Sequence, residues 1–293
     1  MSAETTLTAS SKATVTSIVS ETLLPMSLAA LLPLLPAATC VRLPLALCST
    51  IASYYKQRAT PGGLIIAEAT NITPTGRGSW GSPDIFAPQQ IEAWRHVTKA
   101  VHGKMFLQLS DYRTAAENAL KAGFDGVELH AANGYLLEQF LHDGINDRAD
   151  QYGGSVENRA RFLFEALEAI LESLDSSKVG IRLSPFGGSF GDKDSDPVAT
   201  YTYVLNRLNN YDLAYAHLIE PRGYHVRDPL APEKGSARQF RETYKGVLLA
   251  ASGFDRQSAV QIVEPLHLEP GPGAALPTQQ ARERLRHGHV LPR

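Results

Sequence analysis

The sequence is poor in cysteine and in net charge, and each shortage excludes a class of protein. The 293 residues include two cysteines, and the formal net charge is −2 at pH 7. Cys40 and Cys48 have no metal-ligand spacing around them, which is typical of free thiols in a reducing compartment and leaves one disulfide as the alternative. Because the charges balance, nothing marks a surface for nucleic acid or for an anionic membrane. We therefore expect a cytoplasmic protein that binds neither nucleic acid nor, stably, a membrane.

Charged residues are absent from the segment 22–41, which is rich in leucine and alanine. Its length fits a membrane span or a secretory signal. Pro25, Pro33 and Pro36 interrupt any helix there, and the acidic Glu21 directly precedes it, which argues against both. An organelle-targeting segment stays open as an alternative, because the N-terminal region is rich in serine and threonine.

A Gly-rich dinucleotide-binding fingerprint (GxGxxG) is also absent, which argues against an open Rossmann sheet. From Tyr54 onwards, short apolar runs alternate with amphipathic stretches, and this alternation predicts a parallel α/β protein. The runs predict strands at 63–70, 104–110, 124–130, 178–185, 215–221 and 246–253. The stretches between them predict helices at 88–102, 113–123 and 156–174, and around 197–209 and 237–244.

Polar residues stand at the ends of several of these strands, which favours a (β/α)8 TIM barrel, since its active site is built from strand carboxyl ends. Six strands are visible where eight are needed, so we predict an incomplete barrel. Residues 1–53 show no periodicity and predict an irregular or non-homologous segment, and we expect 54–263 to form the barrel domain. The tail 264–293, rich in proline, glycine and arginine, predicts disorder.

Single polar residues interrupt three of the apolar strands, namely Glu68, Gln108 and Arg182. One interpretation is that each meets a neighbouring group of the protein, because buried polar groups need partners. The other is a shared polar ligand. An amide suits the edge of a pyrimidine-like ring, and a guanidinium suits an atom that gains negative charge during a reaction.

A denser polar cluster follows the strand in "VELHAANGYLLEQFLHDG" (127–144). His130 and Asn133 could both donate to one carbonyl oxygen, and Tyr135 could protonate the neighbouring carbon. The alternative is a core histidine followed by an ordinary turn at Asn133 and Gly134. Farther along, Gly253 ends a strand, where backbone amides can bind phosphate; a plain turn is the alternative there.

The stretch "GFDGVELHAANGYLLEQFLHDGINDRADQYGGSVENRARF" (123–162) closely resembles the Old Yellow Enzyme family of flavin-dependent ene-reductases, which includes plant 12-oxophytodienoate reductases. The resemblance continues in the same order through 54–78, 179–187, 214–221 and 248–255. It implies a (β/α)8 barrel that holds FMN at the carboxyl ends of its strands and takes electrons from NADPH or NADH. It further implies a small-molecule enone substrate whose C=C bond is reduced.

The resemblance also implies a role for each matching residue. His130 and Asn133 match the residues that bind the substrate carbonyl, and Tyr135 matches the proton donor. Some relatives carry a second histidine where this chain has Asn133. The matches to flavin contacts are Gln108 and Arg182 at the ring, Ala69 through its backbone and Gly253 at the phosphate.

Some of the family's segments have no match in this sequence. Before Tyr54 the family has a first strand with a proline and a threonine at the flavin, of which 40–50 is at most a remnant. The excursion that the family has after Ser110 and the eighth strand and Gly-Arg pair that it has after Val263 are absent too. The chain therefore resembles a truncated or internally deleted member, with open edges at 63–70 and 246–253. A catalytically impaired or non-catalytic remnant with weak flavin binding is the alternative function, and a small-molecule-binding protein without turnover is another.

Overall fold

The structure is a computed structural model that describes residues 15–17, 45–60, 63–75, 82–101, 103–109, 112–187, 194–221 and 229–263. Its strands are β1 (Val15–Ser17), β2 (Leu64–Thr70), β3 (Lys104–Leu109), β4 (Gly126–Ala131), β5 (Val179–Leu183), β6 (Tyr215–Ile219) and β7 (Leu248–Ala251). Its helices are α1 (Leu45–Lys56), α2 (Pro88–Ala100), α3 (Tyr112–Lys121), α4 (Leu136–Leu141), α5 (Val156–Arg159), α6 (Arg161–Leu171), α7 (Pro197–Leu208), α8 (Ser236–Phe240) and α9 (Arg256–Val263). A 3-10 turn, Ser176–Lys178, precedes β5.

The strands form one parallel sheet in the order β1-β7-β6-β5-β4-β3-β2. All six strands that the sequence predicts are present, each within a few residues of its predicted bounds. Helices separate β2 from β3 and each later strand from the next, as a (β/α)8 barrel requires.

The sheet curls, because side chains from strands that are distant in its order pack together. Ile66 of β2, Phe106 of β3, Tyr215 of β6 and Leu249 of β7 form one buried cluster. The rings of Phe106 and Tyr215 lie 5.7 Å apart, centroid to centroid. A flat sheet would hold β3 and β6 about 14 Å apart, three strand spacings of 4.7–4.9 Å. The described residues therefore form an incomplete (β/α)8 barrel of seven parallel strands.

Two glycines make room for these aromatic rings. Gly126 of β4 pairs with Phe106, and Gly180 of β5 pairs with Tyr215. A Cβ added at Gly126 would overlap the Phe106 ring, and one at Gly180 would overlap the Tyr215 ring. Each ring therefore lies over a glycine of a neighbouring strand, and both rings belong to the same buried cluster.

Of the two open sheet edges that the sequence predicts, one is confirmed and the other is wrong. β2 pairs with β3 alone, so the predicted open edge at 63–70 is confirmed within the described chain. The predicted open edge at 246–253 is wrong, because Val15–Ser17 pairs in parallel with Leu248 to Ala250. A segment of β-branched Val15 and Thr16 suits an added strand, but three residues are too few to show a periodicity in the sequence.

The prediction that 1–53 is irregular also fails at its end, because α1 begins at Leu45. Residues 45–50 are therefore helical rather than the remnant of a first strand. Ala52 and Tyr55 of α1 are buried three residues apart, so its last turns pack one face on the core. The uncharged segment 22–41 and the tail 264–293 lie outside the described residues, and their predictions stay predictions.

Helix starts follow local capping chemistry. Ser155 is the N-cap of α5, and its Oγ accepts from the backbone N–H of Asn158. Asp196 accepts from Ala199 N–H, with Pro197 in the first turn of α7. The helix predicted over 156–174 is divided at Ala160 into α5 and α6. Among the described residues, no helix is long and apolar enough to cross a membrane.

Candidate active site at the carboxyl ends of the strands

The polar cluster after β4 takes a tight backbone turn. Asn133 and Gly134 both have left-handed backbone angles, with φ of 59° and 72°. Tyr135 then forms the N-cap of α4, and its N–H donates to Ala132 O. The turn that the sequence leaves as an alternative is therefore present, and it is also what brings Tyr135 back beside His130.

His130 and Tyr135 form the centre of this cluster. His130 is buried, whereas Tyr135 is 40% exposed, and their ring centroids lie 4.8 Å apart. Burial, the largest cause, and the charge of Arg182 together lower the pKa of His130 to about 3, and the charge of Glu128 acts in the opposite direction. The imidazole is therefore neutral at neutral pH, with one ring nitrogen protonated.

Arg182 lies directly beside His130, as its partner in the β4–β5 register. Two buried nitrogen atoms of this pair, His130 Nδ1 and Arg182 Nε, have no hydrogen-bond partner in the described part of the chain. Such atoms are costly to bury alone, so they indicate a polar group that binds here.

Gln108 sits in a buried polar network that the sequence does not predict. Its Nε2 donates to Glu128 Oε1 at 2.6 Å, and Glu128 Oε2 lies 2.8 Å from His217 Nδ1. Burial of Glu128 opposes its ionisation, but the charge and hydrogen bond of His217, the charge of Arg182 and the Gln108 amide outweigh it and lower its pKa to about 2. The Glu128 carboxylate thus balances the charge of Arg182 and fixes the Nε2 side of the Gln108 amide.

The two residues of β2 that the sequence singles out, Glu68 and Ala69, have different surroundings. The Tyr55 hydroxyl donates to the Glu68 carboxylate, so Glu68 has its partner within the protein, as the first interpretation holds. Ala69 lies where the β2–β3 register shifts, between Ala67 and Thr70. A bulge leaves backbone groups outside the ladder, so the geometry allows the predicted backbone contact at Ala69.

Gly253 lies apart from this cluster, after β7. It is exposed, and both Ser252 and Gly253 have left-handed backbone angles, with φ of 82° and 70°. α9 begins three residues later, at Arg256. Backbone amides between a strand and a helix N-terminus can receive a phosphate, so the geometry allows the predicted role without distinguishing it from a plain turn.

The strand ends thus bring six of the seven predicted site residues to four adjacent strands. Ala69 is on β2, Gln108 on β3, His130 to Tyr135 on and after β4, and Arg182 on β5. Amide, guanidinium and imidazole nitrogens here can hold the edge of a flat polar ring, and the exposed phenol stands at the opening. Sequence reasoning missed Glu128, His217 and Glu138, although all three are polar residues inside apolar runs, which is the signal that marks Gln108.

Comparison with known proteins supports the family resemblance that the sequence shows. The family model for the NADH:flavin oxidoreductase / NADH oxidase family matches residues 43–110 and 107–265. 12-Oxophytodienoate reductase 1 of Oryza sativa subsp. japonica is 39% identical over 266 residues, which cover 72% of this chain and 70% of the relative. A structure of morphinone reductase superposes with a TM-score of 0.67 at 34% identity, covering 73% of this chain and 74% of the other.

A second morphinone reductase structure, in complex with tetrahydroNAD, gives a TM-score of 0.64 at 36% identity and covers 72% of each chain. These matches extend over most of the described barrel, and they confirm the resemblance seen in the sequence. The chain therefore belongs to the NADH:flavin oxidoreductase / NADH oxidase family of FMN- and NAD(P)H-dependent oxidoreductases, as do its 12-oxophytodienoate reductase relatives.

Proposed function

We propose that this chain reduces the C=C bond of α,β-unsaturated carbonyl compounds, with NADPH or NADH as electron source. The observation that carries the proposal is the neutral, buried His130 beside the exposed Tyr135 at the end of β4. A neutral imidazole can donate a hydrogen bond to a carbonyl oxygen from its one N–H. A phenol at the opening can exchange its own proton with solvent.

The residues of the site fit FMN. The buried, unpartnered Arg182 Nε needs a polar neighbour, and the ring of a flavin offers several acceptors. Gln108 has one amide N–H committed to Glu128, so its oxygen and its other N–H remain for the pyrimidine edge of the ring. Ala69 at the β2 bulge and Gly253 after β7 would supply backbone contacts. The chemistry that FMN would supply there is hydride transfer between NAD(P)H and the enone.

The chain's own residues would carry the remaining steps. His130 and Asn133 would bind the enone oxygen, and two donors at an oxygen that gains negative charge act as an oxyanion hole. Tyr135 would donate its proton to the α-carbon. Arg182, whose charge lies against the Glu128 carboxylate, would stabilise negative charge deeper in the site.

The test is the substitution His130→Ala, with His96→Ala, an exposed position on α2, as matched control. Loss of one oxyanion-hole donor typically costs about 2.7–4 kcal/mol in the transition state, or about 100- to 1,000-fold in rate. We expect His130→Ala to weaken the binding of phenol, a carbonyl mimic, and to slow cyclohexenone reduction by this amount, both measured with FMN in excess. An unchanged phenol dissociation constant would contradict the assignment.

One observation favours a catalytically impaired chain as the second candidate. β2 has no partner strand on its outer side in the described chain, and β7 is covered there by three residues. An unclosed barrel holds the strand ends less firmly. The proposed FMN contacts lie on both sides of this opening, at Ala69 on β2 and at Gly253 after β7. Flavin binding would then be weak even though the residues around His130 are intact.

A further inference from the structure

Glu138 is a buried carboxylate that the proposed chemistry does not use. It lies on α4, three residues after Tyr135, and is 1% exposed. Its Oε2 accepts from the backbone N–H of Gly134 at 2.6 Å, and its Oε1 accepts from the Tyr201 hydroxyl at 2.7 Å and from Ser184 Oγ. Three donors converge on one side chain, from the turn after β4, from α7 and from the residue that follows β5.

Ser184 extends this contact to the other residue of the turn. While its hydroxyl donates to Glu138, its oxygen accepts from the backbone N–H of Asn133 at 2.7 Å. Glu138 thus fixes both amides of the turn, Gly134 directly and Asn133 through Ser184. The hydroxyl is 0% exposed, so water has no access to replace it.

The turn needs such support because its backbone is strained at Asn133. A non-glycine residue with φ near 59° persists where the surrounding structure holds it. The two amides are the groups that Glu138 and Ser184 bind, and the turn sets both the Asn133 side chain and the direction in which Tyr135 leaves it. A change at Glu138 should therefore be transmitted to both.

We propose that Glu138 is a positioning residue, which places Asn133 and Tyr135 for carbonyl binding and proton delivery through its contacts with Gly134 and Ser184. The inference rests on the proposed ene-reduction for its functional consequence, whereas its structural part stands on these hydrogen bonds alone.

Two substitutions of similar size separate positioning from packing. In Glu138→Gln, the amide oxygen can accept from Gly134 while its NH2 donates to hydroxyl oxygens that rotate to accept. In Glu138→Leu, the volume is kept, but all three donors lose their acceptor. If Glu138 only fills space, the two variants should behave alike. If Glu138 positions the turn, the glutamine variant should retain most of the function and the leucine variant should not.

The first readout is hydrogen–deuterium exchange of the Asn133 and Gly134 amides in the full chain, which needs neither flavin nor substrate. We expect at least about tenfold faster exchange at both amides in Glu138→Leu and near wild-type exchange in Glu138→Gln, since a hydrogen-bonded amide exchanges through local opening and loss of its acceptor removes that protection. Ser184→Ala should accelerate exchange at Asn133 alone. Tyr201→Phe should leave both amides protected. These two variants decide the matter if the leucine variant does not fold.

The second readout is the split between two affinities. With FMN in excess, phenol affinity should fall about 10- to 100-fold in Glu138→Leu, because a displacement near 1 Å costs up to about 100-fold. FMN affinity should stay within about twofold of wild type, since the proposed flavin contacts lie elsewhere.

Unchanged amide exchange in Glu138→Leu and Ser184→Ala would overturn the inference, and so would an equal loss of phenol and FMN affinity. If the wild-type chain binds phenol independently of His130, the proposed function fails. Amide exchange then judges the positioning role by itself.

Discussion

At the scale of single residues, Glu128 and His130 lie two positions apart on β4, and their surroundings act on them in opposite ways. Both are buried, yet Glu128 stays ionised with a pKa of about 2, whereas His130 stays neutral with a pKa of about 3. The difference is in their neighbours. Glu128 faces His217, Arg182 and the Gln108 amide, and His130 has the cationic Arg182 directly beside it. The strand thus presents a neutral donor above a buried anion.

The neutral state of His130 predicts a flat pH profile for carbonyl binding. An ordinary histidine titrates near pH 6.5, whereas His130 takes up its proton near pH 3. The dissociation constant for cyclohexenone, which does not titrate, should therefore stay constant from pH 8 to pH 5 when FMN is in excess. The measurement is equilibrium binding across that range. A step in affinity near pH 6.5 that disappears in His130→Gln would show that the imidazole is not held neutral.

The same shift also predicts acid sensitivity of folding. Because the folded pKa of His130 lies below the unfolded value of about 6.5, the unfolded chain binds more protons between these two pKa values. His130 therefore lowers the stability of the fold progressively as the pH falls from about 6.5 towards 3. The slope attributable to this one proton is at most about 1.4 kcal/mol for each pH unit.

Tyr135 predicts a separation of the two half-reactions. Tyr135→Phe removes the proposed proton donor and keeps the ring beside His130. The enone half-reaction should slow by about 100-fold or more, within the range of one general acid, while the NADPH half-reaction stays close to wild type. Stopped-flow measurement of each half-reaction gives the answer.

Tyr152→Phe is the control for this substitution, because its phenol is bonded to Glu165 and the proposed chemistry does not use it. Equal slowing of both half-reactions in Tyr135→Phe would indicate a structural role instead.

At the scale of elements, the strands could be predicted because their signal is local. Each of the six is a continuous apolar run, as buried parallel strands are, and needs no knowledge of its partner. The sequence does not predict the short helix α4, because its six residues are too few to establish a helical period. Helix α9 was missed because 256–263 has a weak apolar pattern and precedes the proline-rich tail.

The contacts of the candidate site also divide into local ones, which the sequence predicts, and distant ones, which it does not. That His130, Asn133 and Tyr135 lie together could be predicted because they stand close in the chain, and their roles stay predictions. The partners of Gln108 and of the turn are distant in sequence, at His217 through Glu128 and at Ser184 and Tyr201 through Glu138. Such pairings follow from which strands adjoin, and sequence alone does not fix them.

The pairing of aromatic rings with glycines gives a prediction for β5 and β6. Gly180→Ala would drive a methyl group into the Tyr215 ring, and overpacking of this kind costs about 1–3 kcal/mol. In the Tyr215→Val background the ring is gone, so the same substitution should be close to neutral. A double-mutant cycle from urea unfolding measures the difference. An equal cost in both backgrounds would show that the ring does not depend on the glycine for its space.

At the scale of the whole molecule, the described chain places candidate site residues on β3 to β5 within an incomplete enclosure. β2 ends the sheet on one side, and β1 extends it by three residues on the other. Open strand edges favour association between chains, so we expect a tendency to aggregate that rises with concentration. The residues around His130 and the residues that would bind the flavin ring are separable in this view, since catalysis depends on the former and retention of FMN on the whole enclosure.

The most direct test is the rate of NADPH-driven cyclohexenone reduction by the purified 293-residue chain as a function of added FMN. We predict little activity without added FMN, and a rate that rises with FMN to a plateau, with the saturated ketone as product. Full activity without added FMN, from a yellow protein carrying about one FMN per chain, would show that the enclosure is complete. No ketone at any FMN concentration would contradict the proposed function.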